Sequence, residues 1–196
     1  MFTIGLTGGI GTGKTEVLNI LRNFGAYTIE ADLLAHQIYS PGEKAWQAII
    51  DAFGSSVLTA EQQINRKKLG EIVFADNDKL NQLNQIVHPK ILEHLKKLIG
   101  EYRMAGVRLL VIEAAILIEA GWIEIVDSVW VMKATPEIVI QRLRKKTTLT
   151  EKQITQRINA QISDAERQEK ADAILTNNGD KSDLINQVNQ LMIAII

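Results

Sequence analysis

An apolar run followed at once by a glycine-rich octapeptide is the feature of this sequence that most limits its fold. The run covers residues 2–6, and the octapeptide that follows is Gly8-Gly9-Ile10-Gly11-Thr12-Gly13-Lys14-Thr15. It fits the pattern G-x-x-x-x-G-K-[ST], whose glycines let backbone N–H groups surround a phosphate chain. The apolar stripe of residues 15–24 predicts the helix that this motif requires after its strand. We therefore expect a P-loop and a ligand with several phosphates.

The last two residues of the motif have predictable roles. Lys14 is expected to bridge the terminal phosphates as a point charge, and the Thr15 hydroxyl to join the coordination sphere of Mg²⁺. The simpler interpretation is a glycine-rich turn that binds nothing. We favour the functional interpretation, because every fixed position matches and the flanking pattern is that of a strand and a helix.

The composition limits which partners we expect. The 196 residues carry a formal net charge of −1 and no cysteine, which gives no general attraction to nucleic acid or to an anionic membrane and excludes disulfides and thiolate chemistry. Residues 2–6 lack a basic leader, and the apolar tract 109–125 is interrupted by glutamates, so neither segment is typical of a signal peptide or a membrane span. We expect a cytoplasmic protein, a monomer or weak homo-oligomer, whose partner is a small molecule.

The alternation of short β-branched runs with helical patterns predicts a doubly wound α/β fold with a five-stranded parallel sheet. Strands are predicted at residues 2–6, 27–30, 108–113, 128–132 and 173–176. A nucleotide-binding core is expected from residues 1–30, 108–146 and 170–196. A helical insertion at residues 31–107 is expected to bind the molecule that would accept a phosphoryl group. A helical hairpin at residues 147–169 is expected to act as a lid. Within the insertion, Pro89 is expected to break or restart the helix after His88.

A P-loop is shared by GTPases, motor ATPases and small-molecule kinases, so other features must discriminate. The chain has no N-K-x-D signature for guanine, and 196 residues leave little room for the partner domains of a motor. A kinase needs a cavity for the molecule that accepts the phosphoryl group and a basic lid that excludes water. The insertion at residues 31–107 can form the cavity, and the hairpin at residues 147–169 can form the lid. A kinase is therefore the favoured class.

Two acidic residues stand at predicted strand ends, where ligands bind in this architecture. Asp32 could accept the proton of an acceptor hydroxyl, but the local sequence fits a helix cap equally well. Glu113 could hold Mg²⁺ through a water molecule, and it too could be a cap. One or two basic residues of the later chain are expected to contact phosphates, from the set Arg142, Arg144, Lys145, Lys146, Arg157 and Arg167. Arg142 and Arg157 lie where a closing lid would bring them to a triphosphate, whereas Arg144 and Lys145 fit a solvated helix face better. His88 fits a structural histidine better than a catalyst.

Taken in order, the motifs of this chain resemble those of dephospho-CoA kinase, and the resemblance spans nearly the whole length. The residues that carry it are Ile4 to Thr15, Glu30-Ala31-Asp32, Pro41-Gly42, Phe53-Gly54, Arg66, Leu69, Val73-Phe74, Leu83-Asn84, Val87-His88-Pro89, Leu117-Ile118-Glu119, Arg142-Leu143, Arg157, Gln161, Ala171-Asp172 and Asn177-Asn178-Gly179. The P-loop alone is widespread, but the ordered series is specific.

The resemblance implies a P-loop kinase core with strand order 2-3-1-4-5, ATP as phosphoryl donor with Mg²⁺, and the ribose 3′-hydroxyl of dephospho-CoA as acceptor. It implies that Asp32 is the catalytic aspartate, with Lys14 and Arg142 as its partners in catalysis. Motif and resemblance together place the donor on Gly9, Ile10, Gly11, Thr12, Gly13, Lys14, Thr15, Glu16, Arg142, Arg157, Asn177 and Gly179. The acceptor-side matches are Thr7, Asp32, Arg66 and His88.

Several positions depart from the family pattern. Glu30 stands where aspartate is usual, His36 where arginine is usual, and Lys146 replaces a frequent lid arginine. The usual Asp-x-Pro-Leu-Leu run begins here with Glu113. No catalytic part is lost, so we expect an active enzyme, with a lid that closes more loosely because lysine lacks the fork of arginine. The rival hypotheses are another small-molecule or nucleotide kinase on the same core, and a nucleotide-binding module without transfer activity.

Overall fold

Five parallel strands form the sheet of this protein, whose computed structural model describes residues 1–195, apart from the side chains of residues 35–37. The strands are Phe2–Gly8 (β1), Tyr27–Glu30 (β2), Leu109–Glu113 (β3), Ser128–Lys133 (β4) and Ala173–Thr176 (β5). Their order is β2-β3-β1-β4-β5. The predicted fold class and the strand order implied by the resemblance are confirmed, and β1 extends two residues further than predicted.

Nine α-helices accompany the sheet in the described part of the chain. They are Lys14–Asn23 (α1), Ala31–Ile38 (α2), Lys44–Phe53 (α3), Arg66–Phe74 (α4), Asn77–Met104 (α5), Pro136–Lys146 (α6), Glu151–Asn159 (α7), Asp164–Glu169 (α8) and Lys181–Ile193 (α9). The chain divides into two compact units, Met1–Glu30 with Tyr102–Ile196, and Ala31–Glu101. The first unit holds the sheet, and the second is helical. No helix among the described residues is long and apolar enough to cross a membrane.

The main core lies where α1 and α9 cover one face of the sheet. β1 runs between β3 and β4, with Leu6 opposite Glu113 on one side and Trp130 on the other. Strands buried on both faces need apolar side chains throughout, which is why β1, β3 and β4 are nearly continuous apolar runs. The fully buried members of this core include Leu6, Val17, Leu21, Trp130, Met132, Leu175 and Val188.

A smaller apolar cluster fixes the P-loop to α6 and α7. Val139 and Leu143 of α6 and Ile154 of α7 are buried together, and Ile10 of the P-loop packs against them. Burial of such side chains stabilises a contact by about 1.5–3 kcal/mol each. The cluster therefore ties the glycine-rich loop to α6 of the core and to α7, the first helix of the candidate lid.

The prediction that Pro89 breaks its helix is wrong. Helix α5 runs without interruption from Asn77 to Met104 and contains Pro89 in its interior. An interior proline removes one helical hydrogen bond and costs about 3 kcal/mol. The buried stripe Val87, Ile91 and Leu95 continues on both sides of Pro89, and the packing of that stripe outweighs the local cost.

Candidate active site

The P-loop connects β1 to α1 and has the backbone conformation that its glycines allow. Gly8, Gly11 and Gly13 all have positive φ angles, and Gly13, at +101°, precedes the first residue of α1. A Cβ atom at Gly13 would overlap the side-chain amide of Asn177. Glycine is therefore required there for two reasons, the left-handed backbone and the close approach of a neighbouring side chain.

Lys14 already reaches back across the loop. Its Nζ atom donates a hydrogen bond to the Gly8 carbonyl at 3.0 Å and lies 3.6 Å from Oε1 of Glu113. Both side chains of the ion pair are largely buried, at 14% and 12% exposed. The lysine that should meet the terminal phosphates is thus held at the β1 end of the loop by a carboxylate from β3.

The two residues predicted to hold Mg²⁺ both carry side-chain oxygens, the ligand type that this ion prefers. Mg²⁺ in P-loop proteins keeps several waters and takes one or two protein oxygens plus phosphate oxygens. The Thr15 side chain is exposed in the first turn of α1, and the carboxylate of Glu113 lies beside Lys14. Among the described residues, no group of three or more histidine or acidic side chains could hold a metal by itself. A site completed by nucleotide oxygens is compatible with this arrangement.

Asn177 and Arg142 meet at one carbonyl group of the P-loop. Nδ2 of Asn177 donates to the Thr12 oxygen at 2.9 Å, and Nη1 of Arg142 donates to the same oxygen at 3.4 Å. Nη2 of Arg142 also donates to Oδ1 of Asn177 at 3.0 Å. Asn177 is 8% exposed. This triangle, which we call the Thr12 clamp, joins the β5–α9 turn and helix α6 to the loop.

The other donor-side candidates lie around the clamp and the lid. Glu16 forms an ion pair with Lys181 at the start of α9. Gly179 lies in the turn between β5 and α9, two residues beyond Asn177. Arg157 is exposed on α7. The structure thus places Glu16 and Gly179 on elements next to the P-loop, and it places Arg157 at the surface of the candidate lid.

Two residues of the candidate lid contact the P-loop but were absent from the predicted site. Gln161, between α7 and α8, accepts a hydrogen bond from the Ile10 N–H through Oε1 at 2.8 Å. Arg167 of α8 is 2% exposed and lies beside Gly9. Both line a cavity of about 400 Å³ together with Gly9, Ile10 and Thr12. The sequence offered Gln161 only as one of the residues that carry the family resemblance and Arg167 only as one of several basic residues, so their contacts with the loop come from the tertiary structure.

Most of the predicted acceptor residues lie in the helical unit. Asp32 is exposed in the first turn of α2, and Arg66 begins α4 with its guanidinium 5.9 Å from the centre of the Tyr39 ring. Burial raises the pKa of Tyr39, and the charge of Arg66 opposes that rise. His88 lies on α5, half-buried, and desolvation lowers its pKa below the usual value. Thr7 belongs instead to β1, where its hydroxyl donates to the Ala115 carbonyl at 3.3 Å.

Comparisons with known proteins show which family this chain belongs to. The family model of dephospho-CoA kinase matches residues 2–183. The chain belongs to the dephospho-CoA kinase family. A dephospho-CoA kinase of Dehalococcoides mccartyi is 39% identical over 191 residues, 97% of this chain and 96% of that protein. One of Corynebacterium jeikeium is 40% identical over 189 residues, 96% of this chain and 97% of its own.

Solved structures support the same assignment. A dephospho-CoA kinase from Campylobacter jejuni superimposes with a TM-score of 0.72 at 26% identity, covering 98% of this chain and 96% of that one. A shikimate kinase from Bacteroides thetaiotaomicron gives a TM-score of 0.56 at 13% identity, covering 98% and 97%. The second likeness concerns the fold alone.

The positions that depart from the family pattern have identifiable surroundings. Glu30, at the end of β2, forms an ion pair with Arg22 at 3.3 Å. Glu113 pairs with Lys14, as described above. Lys146 is the exposed last residue of α6. The side chain of His36 lies outside the described residues. The acidic departures therefore keep their charge and have basic partners.

Proposed function

We propose that this protein transfers the terminal phosphoryl group of ATP to the ribose 3′-hydroxyl of dephospho-CoA and releases coenzyme A and ADP. The observation that carries the proposal is the family match over residues 2–183, which includes a complete P-loop. In the reaction, the bond between the γ-phosphorus and the bridging oxygen of ADP breaks. A bond from the 3′-oxygen to that phosphorus forms, and the hydroxyl proton leaves.

On the donor side, the P-loop residues Gly9 to Glu16 receive the phosphates, and Lys14 offers its charge to the terminal phosphates from its position beside Gly8 and Glu113. Thr15, and Glu113 through a water molecule, would hold Mg²⁺, which would supply charge neutralisation at the phosphate oxygens. Arg142, Arg157, Asn177 and Gly179 complete the donor site. The Thr12 clamp supports this assignment, because it orders the loop before the nucleotide arrives.

On the acceptor side, Asp32 orients the 3′-hydroxyl and accepts its proton. Phosphoryl transfer has little covalent chemistry for the protein to perform, so one carboxylate at the nucleophile and cations at the phosphates are the expected parts. Thr7, Arg66 and His88 contribute to acceptor binding, with Arg66 available for an anionic group of dephospho-CoA. In this proposal residues 31–107 form the acceptor domain and residues 147–169 the lid that excludes water.

The experiment that tests this function is a panel of acceptors. ADP release from Mg·ATP is followed with dephospho-CoA, with shikimate, and with no acceptor. Shikimate is included because a solved protein of the same fold is a shikimate kinase in complex with shikimate. We expect release that depends on dephospho-CoA and exceeds the rate without acceptor by orders of magnitude. Equal rates in all three reactions would instead indicate a plain ATPase, and a response to shikimate alone a different kinase.

A further inference from the structure

The segment that joins α7 to α8 and continues into α8 touches the P-loop at two consecutive residues. Gln161 holds the Ile10 amide at 2.8 Å, and the Gln161 Oε1 and Arg167 Nη1 atoms lie 3.5 and 3.6 Å from where a Cβ of Gly9 would be. Both side chains line the same cavity of about 400 Å³ beside the loop. These contacts converge from the candidate lid on the start of the loop.

The hydrogen bond fixes the orientation of the Gln161 amide. A backbone N–H can only donate, so the Gln161 atom that faces Ile10 must be the acceptor Oε1. The amide oxygen and the NH₂ group point in different directions from the same carbon. Gln161 therefore keeps two N–H donors for a neighbour other than the Ile10 amide, and donors suit the oxygens of a phosphate.

The surroundings of Arg167 are unusual for a buried charge. Its Nη1 donates to Oδ1 of Asp164 at 3.2 Å, and its Nη2 lies 3.9 Å from Oε1 of Glu119. The Nε and Nη2 atoms are buried, and within residues 1–195 neither has a hydrogen-bond acceptor. A buried guanidinium normally has its donors satisfied. The protein contacts of Arg167 within the described part of the chain thus leave two of its buried nitrogen atoms without an acceptor.

Lys14 indicates which phosphate reaches this end of the loop. The P-loop lysine contacts the β- and γ-phosphates. Here its Nζ donates to the carbonyl of Gly8, the residue that precedes Gly9 and Ile10 in the loop. The terminal phosphate of a bound donor accordingly lies near Gly8–Ile10, where Gln161 and Arg167 meet the loop.

We propose that Gln161 and Arg167 form the terminal-phosphate subsite of the donor. Gln161 holds the Ile10 amide with its oxygen and offers its NH₂ group to the terminal phosphate. Arg167 is a positioning residue that fixes the lid segment against Gly9 and supplies positive charge there. The proposal rests on ATP being the donor, as proposed above. It predicts that the two residues distinguish ATP from ADP, because only ATP has the phosphate that they serve.

The test compares the dissociation constants of a non-hydrolysable ATP analogue and of ADP, each with Mg²⁺, by calorimetry. Gln161→Ala and Arg167→Met are expected to weaken analogue binding about tenfold or more, the effect of losing a hydrogen bond to a charged group, and to leave ADP binding within about twofold. Gln161→Glu keeps an acceptor for Ile10 but adds a negative charge, so its loss should be larger than that of Gln161→Ala. Arg167→Lys should recover part of the loss.

Arg144→Met is the matched control, because Arg144 is a largely exposed arginine of α6 paired with Glu151. It should change neither constant. An unchanged ratio of analogue to ADP affinity in Gln161→Ala and Arg167→Met overturns the proposal, as does wild-type binding by Gln161→Glu. If Arg167→Met fails to fold, Arg167→Lys and the Gln161 variants decide. A wild-type protein that binds neither nucleotide would instead refute the proposed function.

Discussion

Asn177→Ala is the substitution that most directly probes how the P-loop is held. The variant removes the donor that contacts the Thr12 oxygen at 2.9 Å and the acceptor that receives Arg142 at 3.0 Å. Arg142 keeps only its longer bond to Thr12, at 3.4 Å. Two of the three hydrogen bonds of the Thr12 clamp are lost, and the remaining one is the weakest by distance.

The magnitude follows from these contacts. A net hydrogen bond contributes about 1 kcal/mol, and the bond to Arg142 is no stronger here because the partly exposed guanidinium can be hydrated after the substitution. We expect the free energy of unfolding to fall by about 2 kcal/mol. Since the loop must be ordered before phosphate binds, ATP affinity should fall several-fold as well.

The assay is urea denaturation together with calorimetric ATP binding. Asn186→Ala is the matched control, since Asn186 is exposed on α9 and alanine favours helix. Asn177→Asp adds a sharper comparison, because a carboxylate still accepts from Arg142 but repels the Thr12 carbonyl. It should weaken ATP binding at least as much as alanine. If Asn177→Ala matches Asn186→Ala in both stability and ATP affinity, the clamp does not order the loop.

The remaining predictions concern the reacting groups and one titrating residue. Asp32→Asn should lower kcat by orders of magnitude with little change in ATP affinity, because the lost group acts on the acceptor hydroxyl; an unchanged kcat would contradict that role. Lys14→Ala should weaken both ATP binding and transfer, measured by calorimetry and ADP release, and normal values of both would show that the loop is misassigned. Burial lowers the pKa of His88 in the folded protein below its ordinary 6.5. The contribution of neutral His88 to stability is therefore complete above pH 6.5. It is lost as the pH falls from 6.5 through the lower pKa of the folded state, because the unfolded chain takes up the proton more readily. His88→Gln should therefore show a flatter decline in unfolding free energy between about pH 7 and pH 5 than wild type, and parallel curves would refute the assignment.

The strands and the P-loop could be predicted from sequence because both are local signals. A buried parallel strand needs a continuous apolar run, and the glycine positions of the motif are set by backbone geometry within eight residues. The predicted helix break at Pro89 is wrong because the sequence shows the local cost of a proline but does not show how the long helix α5 packs.

The contacts that sequence could not predict join distant parts of the chain. Asn177 meets Thr12 across 165 residues, and Gln161 meets Ile10 across 151. The resemblance includes both Asn177 and Gln161, but it does not indicate that either side chain bonds to the backbone of the loop. Arg167 looked like one more charge on a polar helix, because its burial depends on Glu119 and on the loop, which lie far away in sequence.

The most direct test of the central claim is the position of the phosphate in the product. Purified protein is incubated with Mg·ATP and either dephospho-CoA or its 3′-deoxy analogue, and the products are analysed by mass spectrometry and phosphorus NMR. The account predicts one added phosphate on the 3′-oxygen of dephospho-CoA, one ADP for each coenzyme A formed, and no product from the analogue. A phosphate at another position, or transfer to the 3′-deoxy analogue, would contradict it.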